Sequence, residues 1–225
     1  MRKTFLAITL FLAFSKAALA QFGNCTASEM RTYVDSATGN TITMLTDTMK
    51  NDRFLYQTDP MWTADGKYLL FRSSSRGNDK EVESTLPNGE KRKWTPTQIY
   101  FIEMATGKII QATEGPNLGS AFLANKTNRM FVSRKEKENW NMYVMDLNKF
   151  FADVKQGKVG KPSAYETFIG TFPTEMGRPG GYAVDCNDDY AYITVEREGT
   201  EEEKERMMKN AFLPESNQPV KIKPT

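Results

Sequence analysis

Short apolar runs alternate with tight polar turns along most of the chain. Met61-Trp62-Thr63-Ala64-Asp65-Gly66-Lys67-Tyr68-Leu69-Leu70-Phe71 reads as an apolar segment, an Asp-Gly turn and an apolar strand, which together predict a hairpin. Sixty residues on, Phe122-Leu123-Ala124-Asn125-Lys126-Thr127-Asn128-Arg129-Met130-Phe131 places Ala124 under Ala64, Asn125 under Asp65 and Phe131 under Phe71. A third copy, Val184-Asp185-Cys186-Asn187-Asp188-Asp189-Tyr190-Ala191-Tyr192-Ile193, puts Asn187 on Asp65 and Ile193 on Phe71. Each of the first two hairpins is followed by two more strands. Gln98-Ile99-Tyr100-Phe101-Ile102-Glu103-Met104 leads through Ala105-Thr106-Gly107-Lys108 to Ile109-Ile110-Gln111-Ala112-Thr113. In the second copy Asn141-Met142-Tyr143-Val144-Met145-Asp146-Leu147 is the third strand, and a polar insertion, residues 148–161, lengthens the turn before Tyr165-Glu166-Thr167-Phe168-Ile169. Residues 32–46 carry an isolated strand pair around Ser36-Ala37-Thr38-Gly39-Asn40.

Four antiparallel strands at a period near 60 predict an all-β fold: a β-propeller of four-stranded antiparallel blades, with about three blades present and the ring incomplete. A two-layer sandwich also gives many short strands, but not the same hairpin at a fixed interval. The expected blades are about 53–115, 116–172 and 173–225, the last lacking its final strands. Long excursions follow the second strand of the first and third copies, at residues 74–96 and 196–219. Propellers close with roughly 4–8 blades, so a chain of this length forms only part of a ring.

Arg2 and Lys3, the apolar stretch from Phe5 to Phe14 and Ala18-Leu19-Ala20 predict a signal peptide over residues 1–20, with Gln21 as the mature start. The apolar run falls short of the roughly 20 residues that span a bilayer. The expectation is an exported protein, periplasmic or extracellular, without a membrane anchor after cleavage. Lys+Arg number 30 against 28 Asp+Glu. Losing Arg2, Lys3 and Lys16 leaves 27 against 28, and a near-neutral surface gives no support for nucleic-acid binding. Histidine is absent, which removes imidazole bases and His-ligated metals from this sequence. Cys25 and Cys186 are too few for a disulfide scaffold or a four-cysteine zinc site.

If the Asp65-Gly66 hairpin sits at one face of the propeller, the loops after the second strand and those leading into the first emerge at the other. Those loops carry Arg72, Arg76 and Lys80, then Arg134, Lys135 and Lys137, then Arg197; the leading loops carry Arg53, Tyr56 and Gln57, then Arg178. Guanidinium groups around a central opening suit a carboxylated or phosphorylated ligand, which Arg binds in bidentate fashion. Candidate ligand-binding residues are therefore Arg53, Tyr56, Gln57, Arg72, Arg134 and Arg178. Interleaved Glu81, Glu83, Glu136, Glu138, Glu196 and Glu198 allow the plainer reading of solvated surface charge. Trp62, Trp140, Tyr100 and Phe101 read as core.

Residues 32–46 followed by Leu55-Tyr56-Gln57-Thr58-Asp59-Pro60-Met61-Trp62-Thr63-Ala64-Asp65-Gly66-Lys67-Tyr68-Leu69-Leu70-Phe71 resemble the opening of oligogalacturonate lyases, propellers of the pectin pathway with TolB-like repeats. The resemblance covers residues 32–147 best. It implies a seven-bladed fold, β-elimination on a uronate oligosaccharide and a divalent metal. Family members use histidines as base and metal ligands, and where their leading loop often carries one, Tyr56-Gln57-Thr58 stands here. No catalytic residue carries over, and metal ligands are not expected in this chain. The implied ligand is an acidic oligosaccharide; the alternative is a noncatalytic exported propeller that binds a protein or glycan partner.

Overall fold

The structure, a computed structural model, describes residues 22–77, 81–85, 89–172, 179–196 and 217–222. The expected signal peptide lies outside them. In chain order the strands are β1 (Cys25–Thr26), β2 (Arg31–Val34), β3 (Thr41–Met44), β4 (Asp52–Arg53), β5 (Tyr68–Ser73), β6 (Val82–Thr85), β7 (Lys91–Trp94), β8 (Gln98–Glu103), β9 (Ile109–Gln111), β10 (Leu118–Leu123), β11 (Arg129–Glu136) and β12 (Asn139–Asp146). A helix, α1 (Leu147–Gln156), and a 3-10 turn (Pro162–Ala164) precede β13 (Glu166–Thr171), β14 (Pro179–Val184), β15 (Ala191–Glu196) and β16 (Asn217–Ile222). The strands form a first sheet ordered β1-β9-β8-β5-β4, a second ordered β10-β11-β12-β13 and a third ordered β14-β15-β16. Two separate pairs, β2-β3 and β6-β7, stand beside them. Every pairing is antiparallel, so the fold is all-β with one helix among the described residues.

The sheets stack one behind another. Tyr68, Leu70, Ile99 and Phe101 of the first meet Leu123, Met130, Val132 and Met145 of the second. The opposite face of the second sheet, Phe122, Phe131, Met142 and Val144, meets Ala191 and Ile193 of the third. Leu69, Phe71, Tyr100 and Ile102 bury the far face of the first sheet with Leu45 and Met61. The second sheet thus has a core on each face, which two facing layers do not provide. Burial on both faces also explains why β5 and β8 read as continuous apolar runs instead of alternating ones. Trp62, read from the sequence as core, is 47% exposed.

The three predicted hairpins turn in the same way. The backbone N–H of Thr63, Ala124 and Asp185 donates to the carbonyl of Tyr68, Arg129 and Tyr190, each at 3.0 Å. These bonds set the hairpins 61 residues apart at both steps. The second hairpin is therefore shifted by one from its sequence alignment: Val132, not Phe131, stands where Phe71 stands. Packing agrees, because a one-residue slip exchanges the two faces of a strand. Phe71, Val132 and Ile193 all face the N-terminal side of their sheets, whereas Phe131, like Leu70, faces the next sheet.

The turns are also tied to one another. The Asp188 carboxylate accepts from the backbone N–H of Asn125, Lys126 and Thr127, each at 2.7 Å, and from the Thr127 hydroxyl at 2.9 Å. Burial opposes its charge, yet these donors hold the carboxyl below the usual range. Asp65 likewise resists burial through the Thr63 hydroxyl, the Lys67 N–H and ammonium, and Asn128, and its pKa falls to about 2.

The insertion at 148–161 is not a polar loop. Leu147, Phe150, Phe151 and Val154 follow helical spacing, Asp146 caps the first turn by accepting from the Lys149 N–H at 3.1 Å, and Gly157 ends the helix at φ 65°. Its apolar face joins the core between the first two sheets, where Phe151 stacks on Tyr68 with centroids 3.6 Å apart. Phe22, the second residue of the expected mature chain, packs against Phe150 at 5.1 Å in the same core. Cys25 and Cys186 are both exposed and unbridged.

Candidate functional site

One edge strand from each of the three larger sheets, β4, β10 and β14, lines a common cavity of about 1090 Å3. The segment after β4 contributes Leu55, Tyr56, Thr58 and Asp59; β5 contributes Arg72; the β6-β7 ribbon contributes Ser84, Arg92 and Trp94. Gly119 and Ser120 of β10 and Tyr182 of β14 form the opposite wall.

That wall is shaped by a bulge in β10 between Leu118 and Ala121. Ser133 holds the bulge: its Oγ accepts from the Ser120 N–H at 2.9 Å and is hydrogen-bonded to the Tyr182 hydroxyl at 2.9 Å. A Cβ on Gly119 would fall 2.6 Å from the Trp140 ring, so glycine lets that indole close against the strand.

Arg53 and Arg72 are directly opposed across β4 and β5. Like charges in that position repel. Arg53 donates to Asn51 Oδ1 at 3.3 Å, and among the described residues no carboxylate forms an ion pair with Arg53, Arg72 or Arg92. Among the described residues Asp59 is the only acidic one lining the cavity. The site thus gathers three guanidinium groups at a wall that also exposes Tyr56 and Trp94, a set suited to an anionic ligand with a flat apolar face.

Other arginines from the same loops are occupied. Arg76 is 6% exposed at its side chain and donates to Asp52 at 2.7 and 2.6 Å and to Glu29 at 2.9 and 2.6 Å, with its guanidinium over the Phe71 ring. Burial disfavours its charge, but the two carboxylates outweigh that and push its pKa up. Arg134 is paired through both terminal nitrogens with Glu166 and lies over Tyr143. Of the residues proposed from sequence, the structure brings Arg53, Tyr56 and Arg72 to the cavity. Gln57 is exposed outside its lining, Arg134 is held in its ion pair, and Arg178 falls outside the described residues, as do Lys80 and Arg197.

Arg92 and Trp94 were missed because residues 74–96 read as one long excursion. Asn88-Gly89 between two short strand-like segments was the available signal. Divalent-metal chemistry does not fit this donor set. The described residues hold no group of three or more Cys, Asp or Glu able to ligate an ion, and Asp59, the one carboxylate among the described lining residues, shares the cavity with three arginines.

No family model matches the chain, and no curated protein matches it in sequence. Among solved structures its fold is similar to that of an oligogalacturonate lyase in complex with manganese, at 19% identity and a TM-score of 0.55, over 80% of this chain and 39% of that one. It is also similar to the oligogalacturonate lyase of Vibrio parahaemolyticus, at 20% identity and a TM-score of 0.54, over 78% of this chain and 38% of that one. The likeness is one of fold, in keeping with the resemblance carried by residues 32–147, and the chain spans about two fifths of the length of these proteins.

Proposed function

We propose that the stacked sheets are successive blades on an arc of a β-propeller, and that the cavity at their inner edges binds the carboxylated rings of a uronate oligosaccharide. In this reading the chain is the N-terminal part of an exported lyase-like protein acting by β-elimination. The observation that carries it is the opposed pair Arg53 and Arg72, two cations side by side at a cavity without a carboxylate partner among the described residues. In β-elimination a base removes the proton beside the carboxylate, a carbon–carbon double bond forms, and the neighbouring glycosidic C–O bond breaks with its electrons going to the departing sugar. Negative charge builds on the carboxylate as the proton leaves, and preorganised cations stabilise it. The chain's own contribution is that binding and charge neutralisation; no base is assigned to it.

Calorimetric titration with trigalacturonate and with a neutral glucose trimer tests the reading. Saturable binding of the acid alone, weakened about tenfold in Arg72→Ala for a loss of about 1.4 kcal/mol, is expected. Equal binding of the neutral trimer, or no binding of the acid, overturns it. Ultraviolet absorbance separates lyase from binder, because only turnover creates the conjugated double bond. N-terminal sequencing of protein secreted by its native host tests export, with Gln21 the expected first residue.

A further inference from the structure

We propose that the β6-β7 ribbon is a specificity element, carrying a distal sugar-acid subsite in which Trp94 stacks on one ring and Arg92 takes that ring's carboxylate. The inference rests on the uronate-binding reading above and extends it to residues that neither the sequence motifs nor the innermost strands supply.

The ribbon's register makes the case. Val82 is paired with Trp94 and Ser84 with Arg92, so these four share one face, because alternate residues of paired strands point the same way. Ser84, Arg92 and Trp94 line the cavity. The other face carries Glu83, Lys91 and Lys93, and there the Lys91 ammonium meets Glu83 at 2.8 Å. The faces therefore differ: the outer one pairs Lys91 with Glu83 in solvent, while the inner one turns toward the ligand space an indole and a guanidinium that has no ion pair among the described residues.

Trp94 remains 37% exposed although it lies at the cavity, which leaves part of its ring open to contact. Arg92 and Trp94 are two residues apart on one strand, roughly 7 Å along it. A pyranose whose ring lies on the indole then has its carboxylate within reach of the long Arg92 side chain. The ribbon belongs to no larger sheet, and two-stranded ribbons are marginal alone. An oligosaccharide bridging the ribbon to Arg53 and Arg72 would tie it to the body of the protein. Short ligands filled by the Arg53–Arg72 pair would not need it.

The test measures affinity of the full chain for di- and tetragalacturonate, wild type against Trp94→Ala, Trp94→Phe, Arg92→Ala and Arg92→Lys. Trp94→Ala and Arg92→Ala are expected to weaken tetramer binding about tenfold and dimer binding less than about twofold. Trp94→Phe should recover most of the stacking, and Arg92→Lys only part of the carboxylate contact, since lysine lacks the planar fork. Tetramer should also quench tryptophan emission in wild type and not in Trp94→Phe, where Trp62 and Trp140 remain. If wild type binds neither oligomer, the uronate reading itself fails. If wild type binds both and the ribbon variants lose them equally, or lose neither, the subsite is refuted while that reading stands.

Discussion

Replacing Asp188 probes how far one carboxylate holds two neighbouring hairpins together. Its oxygens accept four hydrogen bonds from the second turn, three of them from backbone amides at 2.7 Å. A hydrogen bond to a charged group contributes about 1.5–3 kcal/mol. The four do not add, because Asn125 and Lys126 are exposed and water replaces part of what is lost. Asp188→Gly should then cost about 3 kcal/mol, near two charged bonds. Asp188 also sits at φ 62°, where a side chain without a local polar contact costs about 1–2 kcal/mol more than glycine. Asp188→Ala should therefore be less stable than Asp188→Gly by about 1 kcal/mol, an ordering that inverts the usual rule for the two residues. Urea denaturation reads both values: with a slope near 2 kcal/mol/M, the glycine variant's midpoint falls by about 1.5 M. Amide exchange should show Asn125, Lys126 and Thr127 losing protection together. A glycine variant within about 0.5 kcal/mol of wild type, or an alanine variant more stable than the glycine one, refutes the reasoning.

Arg76→Met removes the cation between Asp52 and Glu29 and leaves two carboxylates facing one another; thermal or urea denaturation should show a loss of about 3–5 kcal/mol, larger than that of the double change that also converts Asp52 to Asn. Asp65 is more acidic folded than unfolded, so the unfolded chain binds more protons between its own pKa near 3.9 and the folded value of about 2. Its stabilisation is full above that window and disappears as pH falls through it. Asp65→Asn should flatten the stability profile there when the two proteins are compared by urea titration, and an unchanged profile rejects the assignment.

Strands were legible because apolar runs closed by Asp-Gly or Asn-rich turns leave little choice of conformation, and the predicted runs around Leu70, Phe101, Ile110 and Val144 all became strands. What misled was residue type. Asn125 resembles Asp65, and matching the two displaced the second hairpin by one position; the spacing of the turn's backbone bonds carries the register instead. The helix from Leu147 was hidden by its lysines, although its apolar residues keep helical spacing and it has an Asp before it and a Gly after it. At the site, Arg53 and Arg72 could be picked out because each flanks a hairpin strand. Which other arginines are spoken for could not, because Arg76 meets Glu29 47 positions away and Arg134 meets Glu166 32 away. Neutralisation at that range is decided by packing, and no local window of sequence contains both partners.

Asp188 grips the backbone of the second turn, and Asn128 accepts from the backbone N–H of Asp65 in the first. The backbones of the first and second turns are thus each fastened by a residue of the hairpin made after it. A chain that emerges from its N-terminus makes the second turn before it delivers Asp188, and arrest short of residue 188 would leave that turn formed but untied.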